Sequence, residues 1–260
     1  MKVFLGGARG SFPTSGADKV RYGGDTFALL VEDRGGGQVL IDAGSGVRNL
    51  KVRLRPGAAL FFTHTHLDHL IGLPLLAGAW PKRMILPRGD LQAVLARTFA
   101  PPVWPLRLPS ADFAVPEPPV AVGGLTVRWQ AVAHPDGCVA YRVDEPATGA
   151  GVVVATDVEW AAMPPPAQDA FAAFARNADL LVFDAQYLPA EYAARKGWGH
   201  SAWTDAVAAA RRCGAKKLWL IHHAPDRTDA EIDGLAAEVA VAFNGAVFPP
   251  AENQTEILHE

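Results

Sequence analysis

Residues 61–70 read FFTHTHLDHL and place His64, His66, Asp68 and His69 within six positions, directly after an apolar run. The chain has eight histidines in all, so three in one turn ask for a chemical reason. Imidazole and carboxylate together form the ligand set of Zn2+, Fe2+ or Mn2+, with no thiolate required. Leu60–Phe62 reads as the end of a buried strand. Side chains on a strand repeat every two residues, so His64 and His66 point to one side. Asp68 and His69 then fall in the first turn of the helix ahead. The plain alternative is a polar surface loop. The density of ligand-type groups weighs against it, as does their position at a strand end, where α/β folds build their sites.

Further ligand-type residues stand at the same kind of position. His134 closes LTVRWQAVA, Asp157 closes GVVVAT and His222 closes KKLWLI. Taken singly, each would pass as a turn residue or a cap; their recurrence at strand ends is hard to obtain by accident. Seven such residues suffice for two metal ions with an open position on each. Two divalent ions about 3.5–4 Å apart share a bridging hydroxide, bring the pKa of water towards ~7 and stabilise both the attacking and the leaving oxygens. Such a centre keeps a net positive charge and suits an anionic phosphodiester better than a neutral ester.

The elements that must position these groups are legible as apolar runs closed by turn signals. KVFLGG, TFALLVE, QVLIDAG and AALFFTH read as strands in the first quarter, and MILP as another further on. LTVRWQAVAH, CVAYRV, GVVVATD, ADLLVFDAQ and KKLWLIHH follow in the second half. Helices are expected over Leu70–Ala79, Leu91–Phe99, Ala167–Arg176, Ser201–Cys213 and Thr228–Phe243. Ser201 would be the N-cap of the fourth and Gly214 its C-terminal stop. The proline-rich passage Pro101–Pro119 cannot hold a long helix and reads as a loop or surface insertion. Two strand-rich halves, each followed by helices, give an α/β fold: a four-layer αββα sandwich of two mixed sheets. With no linker or repeat in view, residues 1–260 read as one domain.

The HTHLDH motif and the later His134, Asp157 and His222, in that order, are similar to the pattern of the metallo-β-lactamase superfamily. The likeness covers nearly the whole chain. GARGSFP (7–13), YGGDT (22–26), DAGSG (42–46), DAQY (184–187), GWGHS (197–201) and IHHAPDRTD (221–229) resemble the branch that holds the tRNA 3′-processing endonuclease, ribonuclease Z, and related small phosphodiesterases. The resemblance implies one metal on His64, His66 and His134, a second on Asp68, His69 and His222, and Asp157 bridging both. The neighbouring His223 is the competitor for the last position, and the alignment of LWLIHH favours His222. The metals implied are two Zn2+ ions, with Mn2+ or Fe2+ as substitutes. Asp68, besides its ligand role, counts among the catalytic residues.

Cleaving a diester expels an alkoxide, which gains from a proton donor. His200 is the candidate, with Asp184 as the acidic partner that the resemblance implies; general acid catalysis is typically worth about 10²–10⁴-fold. As local structure alone, the two residues would be a helix-entry turn and a strand-end cap. Asp42 is expected to accept a ligand's imidazole N–H, and Asp25, where the branch usually has Asn, to orient a loop near the metals. Most tryptophans read as core, whereas Trp198 and Trp203, flanking His200, could contact a base.

The net charge is −3, and the proline-rich passage has Arg107 as its only basic residue. A basic arm to grip tRNA is missing, so nucleic acid is demoted as a partner and a small, cyclic-nucleotide-like phosphodiester is the expected substrate. The endonuclease and a non-catalytic metal-binding scaffold are the alternatives. No apolar stretch approaches the ~20 residues of a membrane span, no secretory signal opens the chain, and Cys138 and Cys213 lack CxxC spacing, so a cytoplasmic protein with free thiols is expected. A homodimer is an assembly common in this branch.

Overall fold

The structure is a computed structural model that describes residues 1–78, 80–81, 83–105, 112–243, 246–248 and 250–259. Among the described residues, fourteen strands form two seven-stranded sheets. The first contains β1 (Lys2–Gly7), β2 (Ala28–Glu32), β3 (Gln38–Ile41), β4 (Ala59–Phe61), β5 (Arg83–Ile85), β6 (Asp112–Ala114) and, beside β1, β14 (Thr255–Ile257). The second runs from β7 (Val120–Val122) through β8 (Leu125–Val132), β9 (Cys138–Glu145), β10 (Ala150–Ala155), β11 (Leu180–Asp184) and β12 (Lys217–Ile221) to β13 (Ala246–Phe248). Each sheet is antiparallel at one side and parallel at the other, changing at β3 and at β10.

Alternation along the strands builds three apolar layers. Between the sheets, Leu5, Leu29, Val39 and Phe61 meet Val127, Tyr141, Val152, Val182 and Trp219. On the outer face of the first sheet Leu30, Leu40 and Leu60 pack against Leu50, Leu73 and Leu95. On the outer face of the second, Val153, Leu181, Phe183 and Leu220 pack against Phe171, Val207 and Val239 from three helices. Each fully buried side chain of this size contributes about 1.5–3 kcal/mol. The scaffold therefore offsets the burial of a polar site at its rim. The expected four-layer αββα sandwich is the fold observed.

Several local expectations are corrected. Leu70–Ala79 is not a helix: Leu67–His69 and Leu73–Leu76 are separate 3-10 turns, because Pro74 donates no N–H and cannot extend a helix, while Ala79 lies outside the described residues. The proline-rich passage contains β6, which pairs in parallel with β5 as an edge strand; residues 106–111, and with them Arg107, lie outside the described residues. The helix expected over Ala167–Arg176 spans Pro165–Phe174, with prolines in its first turn.

Ser201 is not an N-cap. The helix spans Trp203–Cys213, its cap is Ala202, and the Asp205 carboxylate accepts the Ala202 N–H at 3.1 Å. Ser201 Oγ instead joins Val158 O and Trp160 N–H. His200 therefore stands three residues ahead of the helix rather than at its start. Gly214 ends that helix in the left-handed region at φ 68° as expected, and Thr228 caps the last helix, Asp229–Ala242, in a box with Glu231.

Candidate metal centre

The parallel halves of both sheets deliver their C-terminal ends to one place. Asp42 follows β3, Thr63 and His64 follow β4, Asp157 follows β10, Asp184 ends β11 and His222 follows β12. Asp42, Asp157 and His222 all have positive φ, at 57°, 53° and 64°. That conformation is uncommon for residues with a Cβ and recurs where function holds it. It turns each side chain out of the strand's alternation and towards the common rim.

All seven expected ligand residues converge. His64, His66, His134 and Asp157 form one group, and Asp68, His69, His222 and Asp157 a second, with the donor atoms of each within 4.8 Å of one another. Asp157 belongs to both: Oδ1 lies 3.0 Å from His69 Nε2 and 3.3 Å from His222 Nε2, and Oδ2 lies 3.6 Å from His64 Nε2 and 4.0 Å from His134 Nε2. Asp68 Oδ2 is 3.3 Å from His69 Nε2 and 3.2 Å from His222 Nε2.

The far ring nitrogens of His64, His69 and His134 are held by the protein. His69 Nδ1–H donates to Asp42 Oδ2 at 2.8 Å, and His134 Nδ1–H to Gly199 O at 2.9 Å. Thr63 Oγ accepts from His64 Nδ1 at 3.0 Å while donating to Asp42 Oδ2 at 2.7 Å. Among the described residues, the buried His64 Nε2 and His69 Nε2 have no hydrogen-bond partner. An imidazole fixed at one nitrogen and facing carboxylates with the other is the donor arrangement a divalent cation takes.

The surrounding charges agree. Burial, with His69 nearby, holds the His64 imidazole well below its usual range, and burial lowers His134. For His69 burial opposes the charge, but Asp157, Asp68 and Asp42 outweigh it and push the group well above its usual range. His222 is likewise raised against burial, to about 9, by Asp157 and Asp68. Burial works against the Asp157 and Asp68 carboxylates too, yet the histidines around them hold both below the usual carboxylate range.

His222 and His223 separate cleanly. His223 is buried away from the cluster, its ring 6.5 Å from that of Tyr22. Burial and the nearby Arg9 and Arg227 push it down to about 3.

His200 and Asp184 are brought together as expected. His200 Nδ1–H donates to Asp184 Oδ2 at 2.8 Å, and the His200 ring stacks on that of His222 at 4.7 Å. The Asp184 carboxylate also accepts the N–H groups of Gln186 and Ser201 at 3.0 and 3.3 Å. Asp42 accepts the His69 imidazole N–H, and Asp25 orients a loop through Ser45, Asn49 and Arg48. Trp203 is partly buried against the helix layer of the second sheet, whereas Trp198 is exposed beside His200.

Three contributors escaped the sequence. Thr63 relays Asp42 to His64. Ser11 N–H donates to Asp68 Oδ2 at 2.8 Å. The buried Glu159 carboxylate accepts the N–H groups of Gly197 and Gly199 at 2.8 and 3.0 Å, so it steadies the carbonyl that orients His134. Asp42 stands 21 residues from Thr63, Asp68 57 from Ser11 and Gly197 38 from Glu159, and only the strings GARGSFP and GWGHS hinted at the last two loops.

Residues 38–223 match the beta-lactamase superfamily domain, and the chain belongs to that superfamily. The ribonuclease Z of Geobacillus kaustophilus (strain HTA426) is 27% identical over 287 aligned positions, which cover 87% of this chain and 89% of that protein. The probable metallo-hydrolase YhfI of Bacillus subtilis (strain 168) is 26% identical over 259 positions, covering 95% and 96%. Its crystal structure superposes with a TM-score of 0.72 at 20% identity over 98% of each chain. Zn2+-bound PqqB from Methylobacterium extorquens shares the fold at a TM-score of 0.75 and 16% identity, covering 99% of this chain and all of that one. The chain is an enzyme of the metal-dependent hydrolase class. Among the described residues no helix is long and apolar enough to cross a membrane.

Proposed function

We propose that the protein is a phosphodiesterase with two divalent metals, most simply Zn2+, acting on a small diester such as a cyclic nucleotide. The observation that carries this reading is the pair of four-residue groups sharing Asp157, with the His200–Asp184 pair against one of them. His64, His66 and His134 would hold one ion, Asp68, His69 and His222 the other, and Asp157 both. Bound there, the metals supply the Lewis acidity that makes water a nucleophile near neutral pH and that stabilises charge on the phosphoryl oxygens.

The rest is done by the chain. Asp42 and the Gly199 carbonyl keep His69 and His134 turned with Nε2 inward. Asp184 accepts the His200 Nδ1–H and so aims Nε2 as the proton donor to the departing oxygen. The reading takes residues 1–260 as one hydrolase domain, with a homodimer as its expected assembly. It places the protein in the cytoplasm, in keeping with two buried free thiols.

One observation favours a second reading, tRNA 3′ processing: the 27% identity to a ribonuclease Z. A net charge of −3 speaks for the small substrate. Metal-loaded protein assayed on bis-p-nitrophenyl phosphate, cyclic nucleotides and a pre-tRNA decides between them. Cleavage of a small diester supports the first reading. Efficient cleavage of pre-tRNA alone establishes the second, and no cleavage of any diester sinks both.

A further inference from the structure

Two large apolar side chains stand in solvent beside the candidate centre. Phe12 is 65% and Trp198 61% exposed. Both line one cavity of about 430 Å³, whose wall also includes His200, Tyr187 and Arg195. That volume lies within the range of small-molecule sites. Since His200 is shared by the cavity and the metal rim, the cavity opens on the side where the leaving group departs.

Neither aromatic is a loose surface residue. Ser11, at φ 61°, forms a tight turn in which Phe12 N–H donates to Gly10 O at 2.7 Å. The same Ser11 is fastened to Asp68 through its N–H. Gly10 beneath it has no room for a side chain, because a Cβ there would stand 2.2 Å from His222 Nδ1. Trp198 lies between Gly197 and Gly199, at φ 83° and 89°, whose N–H groups both end on the buried Glu159 carboxylate. Gly199 O in turn receives His134 Nδ1–H. Each aromatic is thus presented by a turn that is itself bonded to a ligand residue of the centre.

Two arginines line the same cavity. Arg227 is paired with Glu191 at 2.7 Å. Arg195 lies over the Tyr187 ring, 5.2 Å from its centroid, and its Nη1 donates to Glu191 O at 3.3 Å, but it has no carboxylate partner among the described residues. Two exposed aromatic side chains on bonded turns and a guanidinium with no carboxylate partner suit a flat, anionic ligand.

We infer that this cavity is a base-binding subsite: Phe12 and Trp198 stack the nucleobase of a nucleotide diester whose phosphate sits at the metal centre, and Arg195 faces the nucleotide's negative charge. The inference rests on the phosphodiesterase reading and narrows it, since a cyclic sugar phosphate without a base would leave both aromatics idle. The test uses the metal-loaded full chain and two unreactive monoesters, adenosine 5′-monophosphate and ribose 5-phosphate, titrated by calorimetry. The nucleotide should bind about tenfold more tightly, the scale set by one base stacked on an aromatic side chain.

Trp198→Ala and Phe12→Ala should each remove most of that preference. Trp198→Phe, which keeps a stacking face, should retain it and guards against a merely structural loss. Arg195→Gln should weaken both monoesters alike. Equal binding of the two monoesters overturns the inference, as does a preference that survives both alanine variants. If no diester is cleaved yet the Trp198-dependent preference is present, the phosphodiesterase reading fails while the base subsite stands; if diesters are cleaved without any preference, only the subsite fails.

Discussion

On one side of Asp157 stand His64, His66 and His134; on the other stand Asp68, His69 and His222. The donor chemistry is nearly the same, but the surroundings differ. On the first side the His66 side chain is 41% exposed, and burial keeps His64 and His134 uncharged near neutral pH. The second side is buried throughout. There three carboxylates, from Asp42, Asp68 and Asp157, crowd His69 and hold protons on His69 and His222. Without metal, the second side stabilises its buried carboxylates with imidazolium, so a cation entering there must displace protons. On the first side burial leaves the His64 and His134 nitrogens neutral. Equal ligand counts therefore do not make equal sites, because the cost of emptying a site depends on what neutralises its charge.

The strongest way to break this contrast is to remove the residue the two sides share. Asp157→Ala should bring diester hydrolysis to background and lower bound metal on both sides, read by elemental analysis of the purified protein. Retention of full metal content would show that the carboxylate is not common to two ions. His200→Ala comes next. It should slow diesters with poor leaving groups about 10²–10⁴-fold and p-nitrophenyl diesters far less, with metal content intact. A uniform loss across leaving groups would remove its role as proton donor.

Asp42→Asn should weaken metal binding about 10–100-fold, chiefly on the buried side, where His69 loses its partner. Thr63→Val should act chiefly on the His64 side, which loses the acceptor of His64 Nδ1, and less on the buried side, where Asp42 loses one hydrogen bond but keeps His69. Competition with a chromophoric chelator resolves the two. The smallest effect is set by pH. His69 and His222 are raised in the metal-free protein, so protons compete with metal below the raised values. Affinity on the buried side should climb as pH rises towards about 9, where His222 releases its proton, by about tenfold per unit for each proton displaced. The open side should be nearly flat above neutral pH, since His64 and His134 are already neutral. Parallel pH profiles for both ions would abolish the distinction.

Much of this candidate centre is readable in the sequence because its candidate ligands obey a local rule. HTHLDH places four donors in one loop, and His134, Asp157 and His222 each follow an apolar run that could only be a buried strand. The strands themselves announced their positions through β-branched runs and turn residues. The failures are local competitions. Pro74 broke the helix expected after the motif, and Asp205 took the capping role that Ser201 was assigned. The edge strand Asp112–Ala114 was hidden because its pairing with Arg83–Ile85 is a relation between distant segments.

Residue types, strand ends and the histidine loop are written in the order of the chain, and from them a hydrolytic metal site in an αββα sandwich follows. Which of His222 and His223 faces the other donor residues needed the fold. The two are neighbours on the chain, yet a positive φ of 64° at His222 turns one ring to the metal rim and leaves the other against Tyr22. The supports needed it too: Ser11 reaches Asp68 across 57 positions, Glu159 reaches Gly197 across 38, and Asp42 reaches His69 across 27. Such contacts depend on how two sheets are packed, not on local propensity. What surrounds each ligand, and therefore its charge, was decided only when the chain closed on itself.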